Sequence, residues 1–420
     1  MGQALQKHQP VTDITPHPRR MGPRPLPLHL MTALCVWPSL PIVWPSLRND
    51  WPSSNPPPPS LQKLRAAAKL TETSAAQTDF LTALNQEACN RTRRFISGIQ
   101  AYQDHPDRRD VPEAPVIWQQ GTTRLRDYNP SALHAPVILV IPSLINRFDI
   151  LDLDLAPSFL RSLAAHGFRP LVVDWDTPGT DETNFGLTEY MTQRLIPVLE
   201  FIERSKAGVH LLGYCMGGLL ALALAALKPQ SIKTLTLMAT PWDFHKPENA
   251  ANSFSTWAEK MEPILQQMGQ LPVDIIQSLF ASLQPLQVLE KFSRFADMNP
   301  ISMETRKFVL VEDWLNDGVP LTCNVARECI GGWYSNNVTA KGEWKIADQI
   351  IDPSQLAMPC YVIVPGKDKI VPPESALPLV KLLPHASLHE PMCGHIGLLA
   401  GRNAAQQIWA PLIHWLEQHA

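Results

Sequence analysis

The chain has 420 residues, a formal net charge of −3 and 45% hydrophobic residues. This length accommodates one large domain with insertions or two domains, and the small net charge gives no indication of a nucleic-acid partner. The seven cysteines form no C-x-x-C pair, which argues against a disulfide framework or a structural zinc site and favours a reducing compartment such as the cytoplasm.

Residues 1–60 are rich in proline and predict a disordered arm. Within this arm, residues 29–47 are apolar but interrupted by prolines, so we expect neither a transmembrane segment nor a signal peptide. The arm is either flexible or the result of an upstream-extended gene start, with Met21 as the true first residue. A weaker alternative is that its Trp and Leu side chains contact a hydrophobic surface.

Residues 61–130 predict an N-terminal helical and edge segment, with a helix within 61–103 and a hairpin or edge strand within 115–128. From residue 131 onward, short apolar runs alternate with longer segments of helical pattern. This alternation predicts a catalytic domain over 131–420 that is built on a doubly wound, mostly parallel sheet. The predicted strands are 136–141, 169–175, 209–212, 232–238, 360–364 and 386–390, and the predicted helices are 156–166, 187–205 and 403–418.

The stretch from about 241 to 345 interrupts this alternation, because it is helix-prone and shows no strand pattern. We interpret it as a helical lid inserted over the carboxyl ends of the strands. Open α/β sheets place their binding and catalytic sites at those ends.

Residues 208–229 carry the pattern Gly-x-nucleophile-x-Gly, with Cys215 where serine is commoner. An apolar strand precedes the pattern and an Ala/Leu-rich helix follows it. The sharp turn forces its central residue into a strained backbone conformation, and Gly213 and Gly217 avoid collisions with neighbouring elements. The sulfur then lies at a helix N-terminus, whose dipole favours a thiolate. The alternative is a glycine-rich turn with an inert buried cysteine.

A cysteine nucleophile needs a base to accept its proton and a carboxylate to orient that base. In α/β-hydrolases the acid follows the nucleophile along the chain and the histidine comes last. Asp368 follows a predicted strand at a glycine turn, and His395 lies near the C-terminus, so we predict a Cys215–His395–Asp368 triad. Asp352 and His385 are rival candidates, but neither lies at a strand-end glycine turn.

An oxyanion hole is expected from two backbone N–H groups. One is that of Met216, which follows the nucleophile. The other comes from the loop after the first strand of the regular sheet, at Ile145 or its neighbours.

Asn146 and Arg147 follow in the same loop and are predicted to brace it or to contact the substrate. For Arg147, a surface ion pair with Asp149 or Asp152 is an equally weighted alternative.

A cysteine in this turn suits acyl transfer from a thioester to a hydroxyl group. A thiolate exchanges with a thioester at nearly equal free energy, and an alcohol then attacks the acyl-enzyme downhill. A cysteine can also serve hydrolysis, so the lid matters because it excludes water as a competing acceptor.

Several segments resemble one family when taken together. They are Leu144-Ile145-Asn146-Arg147, Ile150-Leu151-Asp152-Leu153, Asp174-Trp175, Gly213-Tyr214-Cys215-Met216-Gly217-Gly218, Thr240-Pro241-Trp242-Asp243-Phe244, Lys367-Asp368-Lys369-Ile370-Val371-Pro372-Pro373 and Gly394-His395-Ile396-Gly397. In these segments the chain resembles the poly(3-hydroxyalkanoate) synthases, especially their short catalytic-subunit type, over about 120–418.

This resemblance implies an α/β-hydrolase fold and an acyltransferase that polymerises 3-hydroxyacyl-CoA with release of CoA. Cys215 would carry the growing chain, His395 would act as general base, and Asp368 would orient His395. CoA enters only as part of the substrate, and no cofactor or metal is implied. The family also implies a homodimer at the surface of polyester granules, with a second synthase subunit as a further partner.

The alternative function is an ester or thioester hydrolase that uses the same triad, either an intracellular polyester depolymerase or a thioesterase. A granule-binding scaffold without catalysis would have no need of an intact triad. Two positions depart from the family pattern: Lys369 stands where a histidine is usual, and Asp149 stands where an aromatic residue is usual.

Overall fold

The computed structural model describes residues 19–48, 66, 74–204, 208–246 and 261–420. Its central sheet is formed by the strands β1 (Val116–Gln120), β2 (Thr123–Asp127), β3 (Val137–Ile141), β4 (Arg169–Asp174), β5 (Val209–Tyr214), β6 (Ile232–Met238), β7 (Cys360–Ile363) and β8 (Ala386–His389). The spatial order is β1-β2-β4-β3-β5-β6-β7-β8. Strand β2 pairs antiparallel with β1 and β4, whereas all further pairs are parallel.

Helices cover both faces of this sheet. They are α1 (Leu26–Val36), α2 (Leu40–Arg48), α3 (Ser74–Gln103), α4 (Phe159–Ala165), α5 (Leu187–Tyr190, π-helical Met191–Leu195 and Ile196–Glu203), α6 (Met216–Leu227), α7 (Val273–Leu283), α8 (Gln287–Phe295), α9 (Met303–Asn316), α10 (Cys323–Arg327, then π-helical Glu328–Ser335), α11 (Pro373–Leu382), α12 (Gly397–Ala400) and α13 (π-helical Ala405–Trp409 and Ala410–Glu417). Single 3-10 turns lie at Phe148–Asp152, Pro229–Ser231 and Pro353–Gln355.

The inner strands are buried along their whole length because their sequences are apolar on both faces. Every residue of β3 and β5 is buried, and two hydrophobic clusters form, one on each side of the sheet. Parallel strands of this kind require helices on both faces. The predicted doubly wound α/β fold is therefore confirmed, and β1 and β2 form the hairpin predicted within 115–128.

The predicted lid region contains α7 to α10. It also contains strand pairing that the sequence pattern did not show, since Gln270–Leu271 pairs with Leu321–Thr322. The limits of the lid stay a prediction, because residues 247–260 lie outside the described part of the chain.

The described part of the N-terminal arm differs from the predicted disorder, because α1 and α2 are helical and packed. Prolines stand at the start of α1, where a missing N–H costs nothing, so they do not prevent the helix. Trp37 packs against Phe95 of α3, with ring centroids 6.0 Å apart, and Trp44 packs against Phe80 at 4.7 Å. Burial of these aromatic side chains stabilises a segment that its proline content suggested was unstructured. Residues 1–18 and 49–60 are outside the described part.

The turn between β5 and α6 is where the sheet presents Cys215. The residue has a φ of 58° and a ψ of −127°, a region that non-glycine residues rarely occupy. Its N–H donates to Met238 O at 2.9 Å, and its carbonyl accepts from Gly218 N–H at 2.9 Å, so the strained peptide is held on both sides. The predicted sharp turn is therefore present.

Glycine is required at this turn for lack of space. A Cβ added at Gly213 would lie 2.5 Å from Gly217 O, and one at Gly217 would lie 2.1 Å from Ile141 O. At Gly218 an added Cβ would lie 1.9 Å from Thr240 Oγ1. At Gly213 and Gly217 the added Cβ would meet backbone atoms, which cannot move away as a flexible side chain can, so the turn packs this closely only with these two glycines in place.

We expect Gly217→Ala to lower the free energy of unfolding by about 3 kcal/mol, because the new methyl group must push Ile141 or α6 out of place. Gly331→Ala is the matched control, since an added Cβ there meets no atom within 4 Å. Chemical denaturation of both variants measures the difference. A Gly217→Ala protein as stable as the wild type would contradict this account of the turn.

Candidate active site

Cys215 lies at the junction of strand and helix with its side chain half-buried. It is the N-cap residue of α6, so the positive end of the helix dipole faces the position of the sulfur. The side chain lines a small cavity together with the imidazole of His395, and its interaction with the ring raises the pKa of the imidazole. A thiol in this place can therefore transfer its proton directly to the ring.

His395 and Asp368 form a buried pair at the carboxyl end of the sheet. The Nδ1–H of His395 donates to Asp368 Oδ2 at 2.7 Å, which leaves Nε2 as the ring nitrogen for Cys215. The other carboxylate oxygen of Asp368 accepts the N–H groups of Ile370 and Val371 at 2.8 and 2.9 Å. These bonds fix the carboxylate, and the carboxylate in turn fixes the tautomer and orientation of the ring.

The charges around His395 favour its protonated form. Burial acts to lower the pKa of the imidazole, but the sulfur of Cys215 and the carboxylate of Asp368 raise that pKa to about 10. Cys393 is a second thiol near His395. Burial, reinforced by Asp368, raises the pKa of the Cys393 thiol to about 11. Cys393 is therefore a neutral thiol near pH 7, and an imidazolium stands beside Cys215 instead.

The rival residues lie elsewhere. Asp352 caps the turn Pro353–Gln355, where its carboxylate accepts Ser354 N–H at 3.0 Å. His385 is exposed at the amino end of β8, and its carbonyl accepts Cys360 N–H at 2.9 Å. Since the amino ends of parallel strands lie at the opposite edge of the sheet, the structure does not bring His385 near Cys215.

The two residues predicted for the oxyanion hole both border one cavity with Cys215. Met216 begins α6, so its N–H points out of the first helical turn. Ile145 N–H lies 3.4 Å from Ser143 Oγ, the long limit of a hydrogen bond, while its carbonyl accepts Val319 N–H at 2.9 Å. The lid therefore bonds to the Ile145–Asn146 peptide, which directly follows the peptide that carries the Ile145 N–H.

Arg147 braces the loop that Ile145 belongs to. Its guanidinium pairs with Asp176 at 3.1 Å and with Asp317 at 2.8 Å. The alternative of an ion pair with Asp149 or Asp152 is wrong, because other arginines occupy those carboxylates. Arg109 lies 3.2 Å from Asp149, and Arg161 lies 2.9 Å from Asp152.

Asn146 has a polar group without a partner. Its Nδ2 is buried and has no hydrogen-bond partner within the described residues. The residue lines a small cavity of about 50 Å³ together with Cys215 and His395. An unsatisfied buried amide beside Cys215 is available to a bound carbonyl or hydroxyl.

A cavity of about 500 Å³ adjoins Cys215 and Asp368 and is mainly apolar. The lid helix α7 contributes one face with helical spacing, formed by Ile276, Leu279, Phe280 and Leu283. Trp333 and Tyr334 of α10 close another side, and the charged residues of the lining are Lys246, Asp368, Lys369 and Glu374. The shape suits a ligand with an apolar chain and a polar head.

Tyr214 supports the site but was not predicted from the sequence. Its buried ring packs against the His395 imidazole, with centroids 5.1 Å apart, and its hydroxyl donates to His395 O at 3.3 Å. The only available signal was its position immediately before the nucleophile. The ion pairs of Asp176 and Asp317 with Arg147 were also not predicted, because no sequence pattern near either aspartate indicates them.

We expect the pKa of His395 to fall in Asp368→Asn and in Cys215→Ala, because each removes a side chain that raises this pKa. The imidazole protonation can be followed by NMR of protein labelled with ¹⁵N-histidine, with His395→Gln to assign the resonance. The wild-type ring should still be protonated at pH 8. A wild-type pKa near the ordinary value of about 6.5 would contradict the described pairing.

The sequence model described as "alpha/beta hydrolase fold" matches residues 136–401, which is more than half of the chain. Named relatives cover the same region. The chain is 27% identical to "Poly(3-hydroxyalkanoate) polymerase subunit PhaC" of Synechocystis sp., over 79% of this chain and 92% of the relative. It is 25% identical to the protein of the same name from Thiocystis violacea, over 80% of this chain and 97% of the relative.

A third relative with this name, from Haloferax mediterranei, is 26% identical over 73% of this chain, and the matched region spans only 64% of that relative. The resemblance to poly(3-hydroxyalkanoate) synthases predicted from the motifs is thus confirmed by these similarities. On the match of the family model and the architecture of the sheet, the chain belongs to the α/β hydrolase fold family.

Proposed function

We propose that the chain is a poly(3-hydroxyalkanoate) polymerase, an acyltransferase that joins 3-hydroxyacyl groups from CoA thioesters into a polyester and releases CoA. The observation that carries the proposal is Cys215 on its strained turn, next to the hydrogen-bonded His395–Asp368 pair and beside an apolar cavity. Relatives named as polymerase subunits support the same activity.

The first step loads the acyl group. The Cys215 thiolate attacks the thioester carbonyl of 3-hydroxyacyl-CoA, the carbon–sulfur bond to CoA breaks, and the CoA sulfur takes the proton of the His395 imidazolium. CoA leaves as a thiol, and the acyl group remains on Cys215 as a thioester. Asp368 keeps Nδ1 protonated, so that Nε2 is the nitrogen that exchanges the proton.

The second step forms the ester. His395, now neutral, accepts the proton of a 3-hydroxyl group, whose oxygen attacks the acyl carbonyl on Cys215. The new carbon–oxygen bond replaces the carbon–sulfur bond, and the thiolate–imidazolium pair is restored. Water could take the place of the hydroxyl group, so hydrolysis is the competing outcome. The apolar face of α7 supports polymerisation because it limits the access of water to the acyl-enzyme.

Negative charge develops on the carbonyl oxygen in both steps. We assign its stabilisation to the N–H groups of Met216 and Ile145, and we assign substrate contact to the unpaired amide of Asn146. Arg147 acts in this proposal by holding the loop through Asp176 and Asp317 rather than by leaving its ion pairs for the substrate.

CoA enters this mechanism only as part of the substrate, and the steps need no metal or other cofactor. Because the relatives are named as subunits, we propose that a second subunit assists this chain. Homodimerisation and a place at the surface of cytoplasmic polyester granules stay predictions. No helix within the described residues is both long and apolar enough to cross a membrane.

Purified protein given 3-hydroxybutyryl-CoA should release CoA and form insoluble polyester, and Cys215→Ala should release none because the acyl acceptor is missing. Thiol titration measures CoA, and methanolysis with gas chromatography measures the polyester. The assay is run with and without a candidate second subunit. Cys89→Ala, which removes an exposed thiol on α3, is the control and should keep full activity.

Free 3-hydroxybutyrate as the sole product would replace the polymerase with the hydrolase alternative. Normal turnover of Cys215→Ala would remove the nucleophile assignment altogether.

Asp368→Asn should reduce CoA release by about 10²-fold or more, because His395 loses the carboxylate that orients and charges it. Asp352→Asn is the matched control, since that carboxylate only caps a turn. Steady-state kinetics of the two variants separate the candidate acids. Equal losses, or a loss in Asp352→Asn alone, would show that the acid is misassigned.

A further inference from the structure

The segment 20–24 of the N-terminal arm is fixed by a buried arginine. The Arg20 guanidinium donates from Nε and Nη2 to the two carboxylate oxygens of Asp313 on α9, at 2.5 and 2.9 Å. It also donates to the backbone carbonyl of Tyr102 in α3 and to those of His105 and Asp107 in the segment after this helix. The Arg20 side chain is 6% exposed. A buried guanidinium keeps all of these hydrogen bonds only while its partners stay in one relative position.

Further bonds join the same pieces. The backbone N–H of Arg24 donates to Asn316 Oδ1 at 2.6 Å, and its Nε pairs with Asp274 at the start of α7 at 2.8 Å. Tyr102 OH donates to Asp313 Oδ1 at 2.9 Å. The arm thus fixes the C-terminal end of α9 against α3 and α7.

That end of α9 also holds the loop beside Cys215. Trp314 Nε1 donates to Arg147 O at 2.7 Å, and Asp317 pairs with the Arg147 guanidinium at 2.8 Å. Gly318 forms an isolated β-bridge with Asn146, and Val319 N–H donates to Ile145 O at 2.9 Å. Asp313 and Trp314 are consecutive residues, so a displacement of one displaces the other.

We propose that Arg20 is a positioning residue: through Asp313 and the end of α9, it fixes the Ile145 N–H in the oxyanion hole. This inference rests on the proposed function, because it assigns Arg20 an effect on the charge that develops during acyl transfer. Misplacement of a catalytic group by about 1 Å can cost about 10²-fold in rate. Release of the α9 end should therefore slow catalysis without removing the nucleophile.

Two reactions of the same sulfur separate this role from a general structural one. Acylation of Cys215 by 3-hydroxybutyryl-CoA builds an oxyanion, whereas alkylation by iodoacetamide displaces iodide and builds none. Both rates are measured in single-turnover experiments, with mass spectrometry of the peptide that contains Cys215. Arg20→Gln should lower the acylation rate by about 10-fold or more and leave the alkylation rate unchanged.

Arg20→Lys keeps the charge but loses the paired geometry, so it should recover part of the acylation rate. Asp313→Asn weakens the same pair with little change of shape and serves as the second variant if Arg20→Gln does not fold. Arg94→Ala is the control. It breaks an exposed ion pair between α3 and Asp297 that is not among the contacts linking Arg20 to Ile145. Arg94→Ala should match the wild type in both reactions.

Equal losses in acylation and alkylation, or no loss in acylation, would overturn the positioning role of Arg20. Wild-type protein that alkylates but never acylates would instead overturn the proposed function. The two failures are therefore distinguishable in one set of measurements.

Discussion

The positive φ of Cys215 is the constraint on which the site depends. A non-glycine residue in this region costs about 1–3 kcal/mol, and the surrounding contacts must offset that cost. They do so through the bonds to Met238 and Gly218 and through the close approach that Gly213 and Gly217 permit. The resulting turn places the sulfur at the start of α6, within reach of His395.

The site combines parts of the chain that are far apart in sequence. The sheet supplies Cys215, Asp368 and His395 at its carboxyl edge, and the loop after β3 supplies Ile145. The lid holds that loop from the opposite side through Trp314 and its neighbours. The lid therefore contributes to the geometry of the loop that carries Ile145 as well as to the apolar cavity.

The sheet could be predicted from the sequence because its signals are local. Apolar runs mark β3 to β7, and the glycine spacing around Cys215 marks the turn. The predicted triad residues also lie close together. They could be predicted because the order of strand ends along the chain indicated which acid and which histidine could meet.

The contacts that hold the site in place from outside the sheet could not be predicted from the sequence. The physical reason differs from residue to residue. Asp317 is far from Arg147 in sequence, so their ion pair depends on how the lid docks. The high proline content of the arm predicts disorder, whereas packing of its aromatic side chains on α3 stabilises the helices α1 and α2. Tyr214 was missed because its sequence position alone does not show that it packs against the imidazole.

The central claim is that the Cys215 sulfur, paired with His395, receives the acyl group from CoA. The most direct measurement is an acid quench of the protein with 3-hydroxybutyryl-CoA, followed by mass spectrometry of its peptides. The account predicts a hydroxybutyryl adduct on the peptide that contains Cys215, labile to hydroxylamine as a thioester. Release of CoA with no adduct on Cys215 at any quench time, or an adduct on another residue that supports turnover, would contradict it.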